Sequence, residues 1–362
     1  MNKRVLVFGK FDIFHPGHKH ILTLAKKLGK VIVVLESDQA IKAFRHRAPY
    51  YNQEARKNKL EALGFKVFIR TTDHDALYLI NHLQPDILCL GEDQKLLQKI
   101  FSDFPNVNLE IIKFVKKNLY KSSRMQSILE DREAGLYLID KPKGVNSFRA
   151  VAVVRKVLNM RRVGFSGTLD PLASGLLIVA TGRATRLLDW FHDLPKHYEA
   201  KIVFGKQSAS YDLETPVLEN KLAQAFTKKQ LEKTLTSFVG KQSQTVPIYS
   251  AKKVQGEKLY LLARAGQNIQ APRQEIEIYK LKINKFDYPY LNLSATVSSG
   301  TYIRSLAHDL GKTMKTGAVL ADLKRTAIGD FKLKKSLALN ELTRASLVKH
   351  KIAVETIIES LS

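Results

Sequence analysis

The 362-residue sequence predicts two folds in one chain. A Rossmann-like α/β domain spans residues 1–130, and an α+β domain with a mixed, mainly antiparallel sheet spans 134–331. Residues 332–362 are expected to form a short helical extension. Three observations carry this division. Apolar runs of strand length alternate with helix-length stretches up to residue 130, the pattern of a parallel sheet with right-handed crossovers. A charged run from Glu130 to Glu133 ends that pattern, and polar-apolar alternation follows. Charge also divides unevenly, with 23 basic and 15 acidic side chains in residues 1–133 against 36 and 19 in the rest.

In chain order, Val5 to Phe8, Val31 to Leu35, Lys66 to Ile69, Asp86 to Leu90 and Leu109 to Ile112 read as strands. Between them, His18 to Leu28, Asn52 to Leu63, Asp75 to Leu83 and Asp93 to Phe101 read as helices. In the second domain Gly135 to Ile139, Tyr198 to Phe204, Glu275 to Ile283 and Leu291 to Val297 read as strands, with few helices between them. Beyond Asp330, the spacing of Leu337, Leu339, Leu342, Leu347 and Ile352 suggests an amphipathic helix packed on the core.

The chain carries 59 Lys and Arg against 34 Asp and Glu, a net +25, with the larger share in the second domain. A field of that sign concentrates polyanions, which makes nucleic acid the first partner to consider. A single cysteine, Cys89, excludes an internal disulfide and a Cys-cluster zinc site, and its apolar neighbours mark it as a small buried hydrophobe. No apolar stretch reaches the ~20 residues of a membrane-spanning helix. The opening run Val5 to Phe8 is too short for a signal-peptide core. A cytoplasmic, monomeric protein with no membrane partner is expected.

The most informative stretch runs from Gly164 to Leu177, with Asp170 between glycines and before Pro171. Glycines allow tight turns and close approach, and proline stiffens the exit, so the acid projects from a rigid loop. The whole string resembles the signature of TruB-type tRNA pseudouridine synthases. The resemblance continues in order through Asp140 to Ser147, Lys196 to Gly205, Gln244 to Lys252, Gly256 to Arg264, Ser299 to Leu306 and Leu323 to Thr326.

That resemblance implies isomerisation of a flipped-out T-loop uridine, without a cofactor or metal in this domain. Asp170 would be the nucleophile, attacking the uracil ring or the ribose anomeric carbon. Arg304 would orient and neutralise it, Tyr198 would stack on the base, and Tyr302 would hydrogen-bond in the same pocket. Lys141, Phe165, Lys252, Arg264 and Leu323 are the positions implied for holding the RNA. Two departures stand out: Phe165 where the family usually has histidine, and Val246 where it usually has proline. Phe165 can stack or wedge but cannot hydrogen-bond.

In the first domain, Phe8 to His18 sits at the first strand-to-helix turn. Two histidines three apart at a helix N-terminus can hold a phosphate. Pro16 and Gly17 between them spoil the i, i+4 geometry of a His/His zinc site. The segment resembles the His-x-Gly-His motif of the cytidylyltransferase-like family. The implied nucleotide site comprises Gly9, Lys10, Asp12, His15, His18, Arg56, Gly91, Asp93, Ser122 and Ser123. Mg²⁺ would arrive with CTP or ATP. The family's last motif is incomplete at Ser122 to Gln126, and Lys10 replaces a small polar residue. The domain could therefore transfer adenylyl to FMN, use CTP with a small phosphorylated acceptor, or serve as a degenerate nucleotide-binding or tRNA-docking module. For the whole chain, the alternatives to a tRNA synthase are a nucleotidyltransferase as the main activity and a tRNA-binding chaperone.

Overall fold

The computed structural model describes residues 3–46, 48–92, 94–102, 107–112, 122–254, 256–265 and 270–361. The chain forms two compact units, Met1–Ala134 with Ile352–Ser362, and Gly135–Lys351.

The first unit begins β1 (Arg4–Gly9), α1 (Pro16–Leu28), β2 (Lys30–Glu36), α2 (Asp38–Arg45), α3 (Gln53–Ala62) and β3 (Lys66–Arg70). It continues α4 (Asp73–Leu83), β4 (Ile87–Gly91), α5 (Lys95–Phe101), β5 (Asn108–Ile112) and α6 (Ser122–Leu129). The strands pair in the order β3-β2-β1-β4-β5, all parallel. The apolar runs are continuous because the central strands are buried on both faces. Val5 and Val7 enter one core, and Leu6 and Phe8 enter the other. Strand order reverses between β1 and β4, so the loops after Gly9 and Gly91 form the crevice where such sheets bind ligands. Helix α2 has no counterpart among the helices read from the sequence, and α6 begins at the incomplete motif Ser122 to Gln126. Ser37 caps α2 by accepting the Ala40 N–H at 3.0 Å.

The second unit begins β6 (Gly135–Lys141), α7 (Ser147–Leu158), β7 (Val163–Ser166), β8 (Ala173–Thr181), α8 (Leu188–Asp193) and β9 (Lys196–Phe204). Next come β10 (Lys206–Ser208), β11 (Val217–Glu219), α9 (Lys228–Ser237), β12 (Gly240–Thr245), β13 (Lys253–Val254), β14 (Glu257–Lys258) and α10 (Leu259–Arg264). Last are β15 (Arg273–Asp287), β16 (Tyr290–Val297), α11 (Ile303–Thr313), β17 (Ala318–Ile328), β18 (Phe331–Lys332), β19 (Leu337–Ala338) and α12 (Arg344–Lys349). The main sheet runs β12-β15-β16-β9-β17-β8-β6-β19, with β18 on β17 and β7 on β8. Among the described residues only the β17/β8 and β6/β19 pairs of this sheet are parallel, so the sheet is mixed and mainly antiparallel. Alternation sends Ala200, Ile202, Leu291, Leu293, Ile276 and Ile278 into a core shared with Leu306 and Leu310 of α11. Each leucine or isoleucine so buried contributes about 2 kcal/mol relative to exposure. Helix α7 covers a smaller core against β6 and β8 through Ala150, Val151, Val154 and Leu158.

The segment after Asp330 is not one helix. Strand β19 extends the sheet beside β6, and Leu339 and Leu347 enter the smaller core. Residues 352–361, with helix α13 (Val354–Leu361), belong to the first unit. There Val354, Ile357 and Ile358 are buried.

Candidate active site

Asp170 lies in the short loop between β7 and β8, and four neighbouring groups pin that loop. Ser147 Oγ donates to the Leu169 carbonyl at 3.0 Å and accepts the Leu169 N–H at 2.9 Å. The Gly144 N–H donates to the Pro171 carbonyl at 2.8 Å. Lys141 Nζ donates to the carbonyls of Ala173, Val145 and Pro142 at 2.5, 2.6 and 3.0 Å. The fully buried Arg325 donates to the carbonyls of Gly167 and Leu176, both at 2.8 Å. Gly175 is required here: its φ is +105°, and a Cβ would stand 2.3 Å from the Arg325 carbonyl oxygen.

The Asp170 side chain remains 38% exposed, and its Oδ2 lies 2.9 Å from Nε of Arg304, whose side chain is 3% exposed. The approach is an ion pair off the N–H axis and not an aligned hydrogen bond. A second acid, Asp212, is 1% exposed and reaches Arg304 Nε at 3.7 Å. Its Oδ1 accepts from Ser210 Oγ at 2.5 Å and from the Glu214 N–H at 2.9 Å. Arg304 Nη1 also donates to the carbonyls of Ser210 and Tyr249, each at 3.2 Å. The guanidinium thus meets both acids at Nε, Asp170 the nearer and Asp212 the buried one, while Nη1 is held by the two carbonyls.

Tyr302 precedes α11, with the Arg304 guanidinium 5.8 Å from its ring centre. Gln244 fixes its backbone twice, accepting the Tyr302 N–H at 2.8 Å and donating to its carbonyl at 3.1 Å. Burial raises the Tyr302 phenol above its usual range, with the neighbouring Ser250 and Arg304 opposing it less strongly. Tyr198, on β9, packs against the core cluster that contains Leu169 and Ala173 on either side of Asp170. The fold therefore brings Asp170, Arg304, Tyr302 and Tyr198 to one end of the sheet.

Two of the positions implied for RNA are placed otherwise. Lys141 is fully buried with its ammonium protons on three carbonyls, so it braces the Asp170 loop and cannot reach RNA. Burial, then Arg325, lowers its pKa to about 8. Leu323 is a buried core residue on β17. Lys252 is exposed, with Nζ 3.4 Å from Gln274 Oε1. Arg264 is exposed, 3.6 Å from Glu214 and over the Tyr260 ring. Phe165 lies edge-on to Phe148, with ring centres 5.2 Å apart. Asp212, Arg325, Gln244 and Ser147 were not singled out in advance. Ser147, Gln244 and Arg325 lie within the motifs that carry the resemblance but had no role of their own there, whereas Asp212 lies outside those motifs and only its burial marks it.

In the first unit, Gly9 and Gly91 end the strands at the crevice. His15 caps α1, its Nδ1 accepting the His18 N–H at 3.4 Å, and the two rings stack with centres 3.7 Å apart. Burial lowers the His15 pKa to about 4; burial and then His15 hold His18 well below its usual value. Lys10 Nζ lies 3.9 Å from Glu36. Arg56 is 2% exposed and donates to the carbonyls of Tyr51, Lys10 and Glu36 and to Asp38, so its guanidinium ties loops together, and it lines a cavity with Phe11, Asp12 and Phe14. Asp12 is also buried, with Oδ1 accepting the N–H groups of Tyr50 and Tyr51. Asp93 and the side chains of Ser122 and Ser123 lie outside the described residues. Cys89 is buried, which, with Glu110, pushes its thiol pKa up to about 12.

The histidine pair predicts a pH dependence. Between about pH 6.5 and 4 the unfolded chain protonates both rings while the folded chain leaves His15 neutral, so the folded state binds fewer protons. Stability of the first unit should therefore fall as pH drops from 6.5 to 4. In His15→Asn, which keeps a capping residue, that fall should be smaller. Amide exchange of β1 and β2 across this range checks it; identical pH profiles for the two proteins would contradict it.

Comparison with known proteins agrees with this geometry. Residues 155–303 match the TruB family pseudouridylate synthase (N terminal domain), 304–361 the tRNA pseudouridylate synthase B C-terminal domain, and 6–130 the cytidylyltransferase-like family. The tRNA pseudouridine synthase B of Clostridium kluyveri is 38% identical over 221 residues, 61% of this chain and 76% of that protein. The one from Trichormus variabilis is 40% identical over 211 residues, 58% of this chain and 72% of that protein. A solved Cbf5-Nop10-Gar1 complex matches in fold, at 23% identity with a TM-score of 0.50, over 65% of this chain and 64% of that one. The chain belongs to the tRNA pseudouridine synthase B family, isomerases acting on tRNA, and carries a cytidylyltransferase-like domain ahead of its synthase domain.

Proposed function

We propose that the second unit converts the T-loop uridine at tRNA position 55 to pseudouridine, with Asp170 as nucleophile. The observation that carries this reading is the half-exposed Asp170 carboxylate, 2.9 Å from a guanidinium that is otherwise buried. The charge needed for attack is compensated on one side and open to substrate on the other. The N1–C1′ bond of the uridine breaks, the base rotates, and C5 bonds to C1′. The hydrogen on C5 leaves to solvent and N1 takes up a proton, so no oxidant or cofactor enters the balance. Attack at the ring or at the anomeric carbon begins with the same carboxylate. Tyr198 would stack on the detached base and Tyr302 would hydrogen-bond beside it, while Lys252 and Arg264 would meet RNA phosphates. A T-arm stem-loop labelled with tritium at C5 of its uridines tests this. One tritium released per stem-loop is expected; none released would overturn it.

For the first unit we infer nucleotide binding at His15 and His18, supported by their place at a helix N-terminus beside the strand-order switch. His18 Nδ1 is buried without a hydrogen-bond partner among the described residues. Mg²⁺ would come with the nucleotide's own phosphates. A thermal shift of the full chain with CTP or ATP and Mg²⁺ is expected. No shift with either nucleotide would favour an RNA-docking role.

A further inference from the structure

We propose that the first unit binds RNA phosphates at the end of its sheet opposite the ligand crevice. The crevice lies at the carboxyl ends of the parallel strands, after Gly9 and Gly91. At their amino ends is an open hollow of about 780 Å³, lined by Lys3, Lys26, Lys27 and Lys30 together with Asn108 and Glu110. Lys3 precedes β1, Lys30 opens β2, and Lys26 and Lys27 stand in the last turn of α1. The backbone forces these segments together. The Lys30 N–H donates to the Lys3 carbonyl at 2.7 Å. A Cβ on Gly29 would stand 2.1 Å from that same carbonyl oxygen, so glycine is needed for the approach.

The four lysines are exposed, and among the described residues none of them forms an ion pair. Lys26 is steadied by the Phe65 ring, with Nζ 4.3 Å from its centre. Glu110, the one acid lining the hollow, lies 3.5 Å from Asn108 Nδ2. Lysines in a last helical turn complement the helix dipole, which accounts for Lys26 and Lys27 but not for Lys3 and Lys30. Crowding four like charges around one hollow is unfavourable unless an anion enters it. A concave surface of one sign focuses its field on a polyanion, and ammonium groups hold phosphates without reading bases. The occupant is RNA backbone, because the family to which the chain belongs acts on tRNA and spaced phosphates can meet several lysines at once. The isomerase reading needs no RNA contact in this unit, so the two share only the tRNA.

The test compares two triple variants of the full chain in binding a tRNA transcript over a range of salt. Lys3→Gln/Lys27→Gln/Lys30→Gln empties the hollow of three cations. Lys19→Gln/Lys42→Gln/Lys99→Gln removes the same charge from exposed positions elsewhere in the unit. The first should weaken binding roughly 10- to 100-fold at about 0.1 M salt and flatten the slope of log Kd against log salt by about 2 to 3. The second should stay within about threefold of the parent. Both should melt with the parent, and at saturating tRNA both should keep its single-turnover rate of tritium release. Equal weakening by the two triples would show that net charge alone matters and would overturn the site. Unchanged binding with the first triple would overturn it and leave the isomerase reading intact. If the parent makes no pseudouridine but loses tRNA with the first triple only, the isomerase reading fails and the site stands.

Discussion

Asp170→Asn is expected to abolish pseudouridine formation, a loss of at least about a thousandfold in single-turnover rate. Asparagine keeps the shape and one acceptor oxygen but cannot form the covalent bond to the substrate. The fold should tolerate the change. Arg304 retains the buried Asp212 as counter-charge at 3.7 Å and its two carbonyl contacts. The loop retains its anchors on Ser147, Lys141 and Arg325. The melting temperature and the affinity for tRNA should therefore change little. Trp190, the single tryptophan, is buried in the second unit and reports its unfolding. An Asp170→Asn protein that is folded by this probe and still forms pseudouridine would contradict the assignment of the nucleophile.

The second large effect concerns Arg304, whose removal should damage stability as well as activity. Arg304→Met strips the cation from Asp212, leaving a carboxylate with 1% side-chain exposure. Deleting one partner of a buried pair typically costs about 3–5 kcal/mol, because the remaining charge is uncompensated. For a unit of this size that is a fall in melting temperature of about 10 °C. Adding Asp212→Asn should recover part of the stability, since the amide oxygen can still accept from Ser210 and the Glu214 N–H. It should not recover catalysis, because Asp170 still lacks its orienting cation. If Arg304→Met alone melts with the parent, the Arg304–Asp212 pair does not stabilise the unit. If the double variant regains full rate, Arg304 does not position Asp170.

The legibility of the sequence differed between fold and site for physical reasons. The five strands of the first unit lie where the apolar runs place them, because a strand buried on both faces needs a continuous run. The alternation of Tyr198 to Phe204 and Leu291 to Val297 likewise marked sheet strands with one face in the core. The parallel pairing of β17 with β8, which sets Leu323 to Arg325 beside Ala173 to Gly175, leaves no local trace. Helix α13 falls within the expected helical extension, but its membership of the first unit, far away in sequence, leaves no local trace either.

Among site residues, Asp170, Arg304, Tyr198 and Tyr302 came from ordered motifs, and the fold brings them to one end of the sheet. Lys141 and Leu323 read in sequence as RNA contacts because a side chain looks the same there whether it faces phosphates or the interior. Their burial decides the matter, and burial is a tertiary property. Asp212 was missed for the converse reason: it lies outside the motifs, among polar residues that read as a loop.

Pseudouridine mapped at nucleotide resolution in a full tRNA transcript, after incubation with the parent chain and with Asp170→Asn, is the most direct measurement. A single pseudouridine at the T-loop uridine with the parent, and none with the variant, is the predicted result. Modification in another arm, or no pseudouridine with the folded parent chain, would contradict it.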